Sequence, residues 1–248
     1  MPDLITKAAY DIAASRKVVA LTGAGISVES GIPPFRGKGG VWEKFDPMEY
    51  AHIDAFMRDP EKVWRTLIGE MKGTLDKARP NDAHLGLARL ESLGYLQTII
   101  TQNVDGLHQM AGNSDVIEFH GSFAVMECLE CRREIDTADV TLKQMPPKCT
   151  CGGILRPACV FFGELIPPDH LSRSQAVAAR CDLMLVVGTS AVVQLAAFMP
   201  VIAKQSGAVV IEINRESTPL THTTSDYLLK GRAGDVMNAI LQELEQPA

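Results

Sequence analysis

Apolar residues occur along the chain in two alternating patterns, and the alternation predicts strands followed by helices. Mainly apolar runs, which are typical of strands buried on both faces, lie at 18–21, 96–101, 116–119, 160–162, 183–187, 208–213 and 227–229. Segments with apolar residues at helical spacing, or closed by glycine, lie at 3–15, 81–93, 107–111, 171–179 and 234–244. This alternation predicts a parallel sheet with helices on both faces, which is an α/β fold.

A glycine-rich turn directly follows the first predicted strand. Gly23 and Gly25 allow a close approach of the backbone to a ligand, and a helix starting near Ser27 would direct free N–H groups at a phosphate. The usual dinucleotide fingerprint has a third glycine where Val28 stands, and an acidic residue about 20 positions later at the end of a second strand. Residues 33–47 contain no such strand. The turn therefore predicts a nucleotide site and disfavours a hydride-transfer dehydrogenase.

Polar residues follow several predicted strands at the point where each strand ends. In parallel sheets, ligands bind at this carboxyl edge. The polar residues are Thr22 to Gly25, Gln102 to Asp105, His120, Gly188 to Ser190, and Asn214. Their convergence at one edge predicts a ligand site more strongly than any single motif does.

Residues 38–78 interrupt the alternation of strands and helices. They hold both tryptophans, Trp42 and Trp64, and short amphipathic stretches separated by prolines. We interpret this region as a helical insertion or lid. Its aromatic residues are expected to be core residues more often than ligand contacts.

Four of the six cysteines form two close pairs with 17 residues between them. The pairs are Cys128 with Cys131, and Cys149 with Cys151. This spacing indicates a closed, tetrahedral structural zinc site, although the second pair is a tight C-x-C. Two disulfides, or free buried thiols, are the alternatives. Cys159 and Cys181 flank apolar segments and are expected to be core residues.

The composition excludes several classes of protein. The 248 residues are 46% hydrophobic, which is enough for a sizeable core, and the formal charge is −6. Without a basic face, direct nucleic-acid binding is not expected, and no apolar run is as long as a membrane span. Met1-Pro2-Asp3-Leu4 lacks the basic start of a secretory signal, so we expect a cytoplasmic protein. A reducing compartment also favours metal over disulfides at the cysteines.

Several motifs, in this order along nearly the whole chain, together resemble the sirtuin family of NAD-dependent protein-lysine deacylases. The motifs are Gly23-Ala24-Gly25-Ile26-Ser27, Gly31-Ile32-Pro33-Pro34-Phe35-Arg36-Gly37, Thr101-Gln102-Asn103-Val104-Asp105-Gly106-Leu107-His108, His120-Gly121, the four cysteines, Phe162-Gly163-Glu164, Gly188-Thr189-Ser190 and Asn214. The glycine turn alone would be weak evidence, but the combination is specific.

The predicted fold class is therefore α/β, with a Rossmann-like parallel sheet covered by helices on both faces, a small zinc-binding module and a helical insertion. Residues 1–33, 79–120 and 158–248 would form the Rossmann-like NAD-binding domain. Residues 34–78 would form the cofactor loop and helical insertion, and 121–157 the zinc-binding module. The resemblance implies NAD, consumed as co-substrate, and one structural zinc ion.

The resemblance also implies which residues bind NAD. They are Gly23, Ala24, Gly25, Ser27, Phe35, Arg36, Gln102, Asn103, Asp105, Gly188, Thr189, Ser190, Asn214 and Ala233. The glycine turn would bring backbone N–H groups to the pyrophosphate, where Arg36 would add positive charge. Phe35 would shield the reactive face of the sugar. Ser190 and Asn214 would hold the adenosine side, with Ala233 near the adenine.

His120, Asn103 and Asp105 are the implied catalytic residues. His120 would be the general base, because an unperturbed imidazole pKa near 6.5 suits proton removal from a ribose hydroxyl at neutral pH. Asn103 would order water and the ribose, and Asp105 would accept a hydrogen bond from the nicotinamide carboxamide. A single histidine at a strand end is more often structural, but its neighbours at this edge favour catalysis. His84 and His108 are expected to be structural.

The implied partner is an acylated lysine in a protein or peptide. Phe162, Gly163 and Glu164 resemble the family segment that pairs with the substrate peptide as an added strand. Val193 would line the other side of that cleft. We expect no nucleic-acid partner, no membrane partner and a monomer.

The sequence departs from one branch of the family at the acyl end of the site. Members specific for succinyl and other acidic acyl groups carry a Tyr and, three residues later, an Arg on the helix after Val63-Trp64. These positions align with Leu67 and Glu70. The departure predicts that acetyl-lysine, or a longer apolar acyl-lysine, is a better substrate than succinyl-lysine.

The predicted function is NAD-dependent removal of acetyl or other apolar acyl groups from protein lysines, giving nicotinamide, O-acyl-ADP-ribose and free lysine. One alternative is ADP-ribosyl transfer to a protein from the same NAD site. The other is a non-catalytic NAD-sensing or zinc-ribbon scaffold, which would not need His120, Asn103 and Asp105 together.

Overall fold

The computed structural model describes residues 2–245, which are organised around a six-stranded parallel sheet. The strands of the chain are β1 (Val18–Thr22), β2 (Leu96–Thr101), β3 (Val116–Glu118), β4 (Gly121–Cys128), β5 (Glu134–Asp136), β6 (Leu155–Cys159), β7 (Leu183–Val187), β8 (Val209–Asn214) and β9 (Tyr227–Lys230). The large sheet has the order β3-β2-β1-β7-β8-β9, and every pair in it is parallel. Counted within this sheet, that is the 3-2-1-4-5-6 order of a Rossmann fold, whose switch point lies between β1 and β7.

Helices cover both faces of the large sheet, as the alternating pattern predicts. The helices are α1 (Pro2–Ala14), α2 (Val41–Lys44), α3 (Pro47–Tyr50), α4 (Ile53–Arg58), α5 (Pro60–Val63), α6 (Gly69–Leu75), α7 (Asp82–Ser92), α8 (Leu107–Ala111), α9 (Pro168–Ala178), α10 (Phe198–Gln205) and α11 (Ala233–Glu245). Side chains of α1, α7 and α11 form one apolar core with the sheet, and those of α9 and α10 form a second core on the other face. Within residues 2–245, no helix combines the length and apolar composition that a membrane span needs.

Three elements differ from the expectations drawn from the sequence. The strand expected at 160–162 is not formed, because the backbone of Phe162 bonds that of Ala51 and Ile53 in an isolated bridge instead. The helix expected near Ser27 is a short 3-10 helix, Ala24–Ser30, which ends at Gly31 with a φ of 85°. Prolines at 33 and 34 follow and cannot continue a helix. Helix α10 has no predicted counterpart, because Pro200 interrupts its apolar run. This proline lies in the first turn, where its missing N–H is not needed.

A smaller unit packs beside the large sheet. Strands β5, β4 and β6 form an antiparallel sheet in that order, and the boundary predicted after residue 157 falls within β6. The helical insertion runs from α2 to α6, and a π-helical turn, Trp64–Ile68, joins α5 to α6. The insertion and the small sheet share a third apolar core that includes Phe56, Trp64 and Phe161.

Candidate active site

A cleft of about 860 Å³ runs along the carboxyl edge of the large sheet. Its volume lies within the ~300–1,000 Å³ that ligand sites usually have. We call one side the sheet wall, made of residues 23–25, 28, 102–104, 188–190, 213–219, 231 and 233. We call the other side the insertion wall, made of residues 34–38, 42, 67, 68, 71, 159–164 and 166. His120 also lines the cleft and connects β3 of the large sheet to β4 of the small sheet.

Most residues predicted to bind cofactor or substrate line this cleft. They are Gly23, Ala24, Gly25, Phe35, Arg36, Gln102, Asn103, His120, Phe162, Gly163, Glu164, Gly188, Thr189, Ser190, Val193, Asn214 and Ala233. Of the predicted residues, Ser27 and Asp105 are not among those lining it. Cys159 packs against a core, as expected, and also lines the cleft, and Cys181 is a core residue as expected.

Glycines bring the two central turns of the sheet wall into contact. The N–H of Gly25 donates to the carbonyl of Gly188 at 2.7 Å, and the N–H of Gly23 donates to that of Val187 at 3.1 Å. A Cβ on Gly25 would lie 2.6 Å from the Gly188 carbonyl oxygen. A Cβ on Gly23 would lie 2.8 Å from the Cβ of Thr189. These glycines therefore serve close packing at the switch point. Their N–H groups are already used within the chain, which differs from the predicted role as donors to a pyrophosphate.

A hydrogen-bonded network lies behind the glycine turn. Ser27 Oγ donates to Asp105 Oδ2 at 2.7 Å and accepts from Asn103 Nδ2 at 3.1 Å. His84 Nδ1 accepts from a backbone N–H at the start of α7, so Nε2 carries the proton and lies 3.4 Å from Ser27 Oγ. Burial lowers the pKa of His84 to about 4 although Asp105 raises it, so the ring is neutral. His84 and His108 are buried, as expected of structural histidines, and His84 reaches the cleft-lining Asn103 through Ser27.

His120 is held as a neutral base. Its Nδ1 lies 3.0 Å from the carbonyl oxygen of Gln102, which can only accept, so Nδ1 carries the proton and Nε2 has the lone pair. Burial lowers the pKa of His120 below its ordinary value, although the hydrogen bond to the Gln102 carbonyl raises it. At neutral pH the ring is therefore in the form that a general base needs.

Aromatic residues connect the loop over the cleft to the predicted substrate segment. The rings of Phe35 and Trp42 stack with centroids 5.3 Å apart, and the rings of Trp42 and Phe162 are 6.0 Å apart. The backbone N–H of Trp42 also donates to the carbonyl of Phe35 at 3.0 Å, which closes the loop formed by residues 35–42. Trp64 is a core residue as expected, whereas Trp42 lines the cleft.

Arg156, for which no role was predicted, fixes the position of Glu164. Its guanidinium donates to both carboxylate oxygens of Glu164, at 2.7 and 2.6 Å, and to the carbonyl of Cys159. Burial raises the pKa of Glu164, but hydrogen bonds from Arg156 and from the N–H of Phe161 lower it by more, so the carboxylate stays ionised. Arg156 is the one charged residue in the strand Leu155–Cys159, and that isolated charge was the available signal.

The segment 162–164 is also anchored to the helical insertion. The N–H of Phe162 donates to the carbonyl of Ala51, and the carbonyl of Phe162 accepts from the N–H of Ile53. Gly163 has a φ of 88°, and a Cβ there would lie 2.7 Å from the imidazole of His52. Glycine is therefore required at this position.

The end of the cleft beside the helical insertion is apolar. Leu67, Ile68 and Met71 line it, and the first two belong to the π-helical turn. Glu70 does not contribute to the lining, and its carboxylate accepts from Lys44 Nζ at 3.1 Å. The positions aligned with the Tyr and Arg of succinyl-specific sirtuins thus hold an apolar side chain and a carboxylate that is already paired.

The turn after β8 contributes further residues to the sheet wall. Asn214 Nδ2 donates to the carbonyl of Thr189 at 2.8 Å, and Asn214 Oδ1 accepts from the N–H of Arg215. Residues 215–219 then continue along the cleft, and none of them was predicted to do so. The exposed side chains of Arg215 and Glu216 both belong to this turn, so it carries one charge of each sign.

The four predicted zinc ligands lie together in the small unit. The Sγ atoms of Cys128 and Cys151 are 3.5 Å apart, those of Cys131 and Cys149 are 3.8 Å apart, and all four lie within 4.8 Å of one another. Tetrahedral Zn–S bonds of about 2.3 Å place the sulfurs about 3.8 Å apart, so the cluster fits a structural zinc ion. None of the four forms a disulfide. A Cβ on Gly153 would lie 2.7 Å from Cys128 Sγ, which explains a glycine beside the second pair.

Comparison with known proteins agrees with this geometry. The model of the Sir2 family matches residues 23–195. NAD-dependent protein deacylase 1 of Archaeoglobus fulgidus is 48% identical over 236 residues, which cover 95% of this chain and 96% of that protein. A crystal structure of a Sir2 homologue–NAD complex has a TM-score of 0.89 at 48% identity and covers 96% of this chain and 93% of its own. A Sir2–p53 peptide–NAD+ structure has a TM-score of 0.87 at 34% identity, with 96% and 97% covered. The chain therefore belongs to the Sir2 family, the sirtuins, as its motifs indicate.

Proposed function

We propose that this protein removes acetyl or other apolar acyl groups from protein lysines in an NAD-dependent reaction, giving nicotinamide, O-acyl-ADP-ribose and free lysine. The observation that carries the proposal is the position of His120, a neutral base on the same cleft as the glycine turn and the segment 162–164. The relative named as an NAD-dependent deacylase and the NAD and peptide complexes of Sir2 proteins support it.

The sheet wall suits a dinucleotide. Its central turns are packed so closely that side chains at the glycines would not fit, and the exposed Arg36 of the insertion wall places a positive charge beside the cleft. NAD supplies a ribose carbon at which the acyl oxygen replaces nicotinamide. The residues that would hold it are Ala24, Phe35, Arg36, Gln102, Asn103, Gly188, Thr189, Ser190, Asn214 and Ala233. Gly23 and Gly25 contribute because, without side chains, they let the two turns pack closely and let the backbone come near the cofactor.

The catalytic roles divide between the cleft surface and the network behind it. Nε2 of His120 takes the proton from a ribose hydroxyl, because Nδ1 already carries a proton and donates it to the carbonyl of Gln102. Asn103 lines the cleft, and its amide is fixed by the Gly23 carbonyl and Ser27 Oγ, so it can orient ribose and water. Asp105 accepts from Ser27 and from a backbone N–H of α8, and a remaining lone pair would reach the nicotinamide carboxamide. We assign Ser27 a positioning role through Asn103.

The peptide part of the site lies between the segment 162–164 and Val193. Phe162 and Glu164 are anchored to the helical insertion and to Arg156, so the segment is fixed before a peptide arrives. A segment whose shape is fixed before binding costs less ordering when a peptide pairs with it as an added strand. In this proposal the substrate is recognised mainly through its backbone and its acyl-lysine.

The decisive test is incubation of an acetyl-lysine peptide with and without NAD, alongside His120→Ala, followed by mass spectrometry. We expect deacetylated peptide and O-acetyl-ADP-ribose from the wild type only with NAD, and about 10²–10⁴-fold less from the variant. Because burial lowers the pKa of His120, kcat/KM should stay constant near neutrality and fall only as the pH drops below 6.5. Turnover without NAD would refute the proposal, and mass added to the peptide would favour ADP-ribosyl transfer.

The acyl preference follows from the apolar end of the cleft. Leu67, Ile68 and Met71 offer no positive charge to an acidic acyl group. Glu70 adds little repulsion, since Lys44 already pairs with it at the surface. We expect acetyl-lysine to be removed at least about tenfold faster than succinyl-lysine on matched peptides, because a buried unpaired carboxylate is costly. Equal rates on the two peptides would contradict this preference.

Three further expectations remain proposals. They are a cytoplasmic location, a monomeric state and the absence of direct nucleic-acid or membrane binding. The domain limits given above are likewise proposed, with the boundary of the zinc-binding module placed after Cys159 because β6 runs to that residue.

A further inference from the structure

Glu212 is a carboxylate buried in the large sheet. It lies in β8, one strand from the switch point, with 1% of its surface exposed and with Ile211 and Ile213 buried on either side. Its two oxygens accept hydrogen bonds from Thr218 Oγ1 at 2.5 Å and Thr221 Oγ1 at 2.6 Å. Among the described residues, no Lys, Arg or His forms an ion pair with it within 4.0 Å.

A carboxylate in this setting calls for an explanation beyond packing. Burying an unpaired acidic group is costly, and an apolar residue would fit the alternation of a buried strand better. The compensation here comes from two neutral hydroxyls, and both belong to the turn that follows the same strand. The carboxylate therefore connects the interior of the sheet to residues 218–221.

Both hydroxyls also organise the backbone of that turn. Thr221 Oγ1 accepts from the N–H of Thr218 at 2.9 Å, and Thr218 Oγ1 accepts from the N–H of Leu220 at 3.1 Å. Each hydroxyl thus donates to Glu212 and accepts from the turn. Since a hydroxyl has one proton, the carboxylate fixes the direction in which each hydroxyl points and leaves its lone pairs for the backbone.

The same turn forms the end of the sheet wall. Residues 215–219 line the cleft next to Asn214, which is tied to the carbonyl of Thr189. Asn214 fixes the start of this turn, and Glu212 fixes its far end through Thr218 and Thr221. With the exception of Thr218, the lining residues of the turn are exposed, so these two anchors hold the segment.

We infer that Glu212 is a positioning residue for the adenosine end of NAD: through Thr218 and Thr221 it holds residues 215–219 in the shape that this end of the cofactor requires. The inference rests on the proposed function for the identity of the ligand. Glu212 itself touches neither NAD nor substrate, and it acts by fixing the turn. The peptide segment 162–164 is held by separate contacts with Ala51, Ile53 and Arg156, so we do not expect it to depend on Glu212.

Thr221 offers the cleanest test, because its hydroxyl bonds Glu212 but the residue does not line the cleft. Thr221→Val removes the hydroxyl at nearly constant volume, and Thr221→Ser restores it. We expect Thr221→Val and Glu212→Gln each to raise the KM for NAD and the Kd for ADP-ribose about tenfold, the size of one lost hydrogen bond to a charged group. Thr221→Ser should restore the wild-type values. The KM for acyl-peptide, and kcat at saturating NAD, should change less than about twofold in all variants.

Thr98→Val is the matched control. Its buried hydroxyl donates to Asp115 at 2.7 Å, and neither residue lines the cleft, so the variant removes a threonine–carboxylate hydrogen bond elsewhere in the protein; Asp115 differs from Glu212 in being partly exposed and paired with Arg173. We expect this variant to lose some thermal stability and to keep the wild-type Kd for ADP-ribose. Calorimetric binding of ADP-ribose needs no turnover, so it tests the positioning role even if the wild type proves inactive on acyl-lysine, which would sink only the proposed function.

Two results would overturn the inference. One is a wild-type Kd for ADP-ribose in both Thr221→Val and Glu212→Gln. The other is an equal rise in the KM values for NAD and peptide, which would indicate general loosening of the fold. If Glu212→Gln does not fold, the Thr221→Val and Thr221→Ser pair still decides between these outcomes and the expected one.

Discussion

The two walls of the cleft are built in different ways. At its centre, the sheet wall is held by backbone hydrogen bonds and by glycines packed against each other, above the two cores on the faces of the large sheet. The insertion wall is held by side chains: the stack of Phe35 and Trp42, the buried pair of Arg156 and Glu164, and a separate third core. His120 connects the two walls.

This difference suggests a division of tasks. A wall made of backbone contacts tolerates few substitutions, because a single added methyl group collides with a carbonyl, and it suits a ligand that stays the same. A wall made of side chains can change its chemistry while its fold is kept. The sheet wall matches the constant partner, NAD, and the insertion wall matches the variable partners, acyl group and peptide. Damage confined to one wall should therefore affect one partner more than the other.

Removal of zinc is expected to give the largest separation between the walls. Cys128 and Cys149 belong to the third core, which also contains Phe161 next to the peptide segment. Closed thiolate sites of this kind contribute directly to folding. We therefore expect a chelator, or Cys128→Ser, to lower kcat/KM for acyl-peptide about 100-fold or more. Binding of ADP-ribose, measured by calorimetry, should weaken far less.

Cys181→Ala is the control for this experiment. Cys181 lies in a core of the large sheet, away from the cluster, and should leave both measurements unchanged apart from a small loss of stability. Parallel loss of peptide turnover and ADP-ribose binding on chelation would show that the walls are not separable.

The substitution Gly25→Ala is expected to have the opposite selectivity, because it changes the sheet wall and not the insertion wall. Its Cβ would lie 2.6 Å from the carbonyl oxygen of Gly188, so the turns after β1 and β7 must move apart, at a cost of about 3 kcal/mol in the free energy of unfolding. ADP-ribose binding should be lost before peptide binding. Gly73→Ala is the matched control, because no heavy atom lies within 4 Å of its Cβ in α6. That change should stabilise the protein by about 0.5–1 kcal/mol in a denaturant titration.

The sheet wall was the more predictable of the two. The strand predicted at 183–187 and the helix predicted at 107–111 have the observed limits, since continuous apolar runs and closing glycines are local signals. The order β3-β2-β1-β7-β8-β9 is not a local property, because it depends on which strands pair across long stretches of chain. The short 3-10 helix after the glycine turn depends on the contact between Gly25 and Gly188, and such a contact cannot be read from one stretch alone.

In the candidate site, the motifs predicted which residues lie at the cleft better than they predicted which hydrogen bonds those residues form. His120 and Asn103 line the cleft, but Asp105 lies behind it and reaches Asn103 through Ser27. Arg156 and Glu212 carried no predicted role, although each is an isolated charge in a strand of mainly apolar residues. An isolated charge indicates that a partner exists, but only the fold shows that the partner belongs to the site.

Breaking the ion pair between Arg156 and Glu164 in the insertion wall is expected to have an intermediate effect on stability and on peptide binding. Arg156→Met would leave the Glu164 carboxylate without its main partner, at a cost of about 2 kcal/mol in unfolding free energy, since Glu164 is only partly buried. Loss of this anchor should raise the KM for acyl-peptide about tenfold and leave the Kd for ADP-ribose unchanged. Arg65→Met is the control, because it breaks the exposed pair with Glu61 and should cost at most about 0.5 kcal/mol. If the KM for acyl-peptide is unchanged in Arg156→Met, the ion pair between Arg156 and Glu164 does not contribute to substrate binding.

The smallest expected effect concerns the exposed ion pair between Lys44 of α2 and Glu70 of α6, within the helical insertion. Lys44 and Glu70 have 69% and 51% of their side chains exposed, so Lys44→Gln should change the free energy of unfolding by less than about 0.5 kcal/mol. Its effect on selectivity should be of similar size. With Lys44 neutral, the charge of Glu70 is no longer screened, and the preference for acetyl-lysine over succinyl-lysine should increase about twofold. The change should vanish in high salt, because exposed charges are screened there. A weaker preference for acetyl-lysine in Lys44→Gln would instead indicate that Lys44 itself attracts the acidic acyl group, and would assign the acyl-selecting charge to α2 rather than to α6.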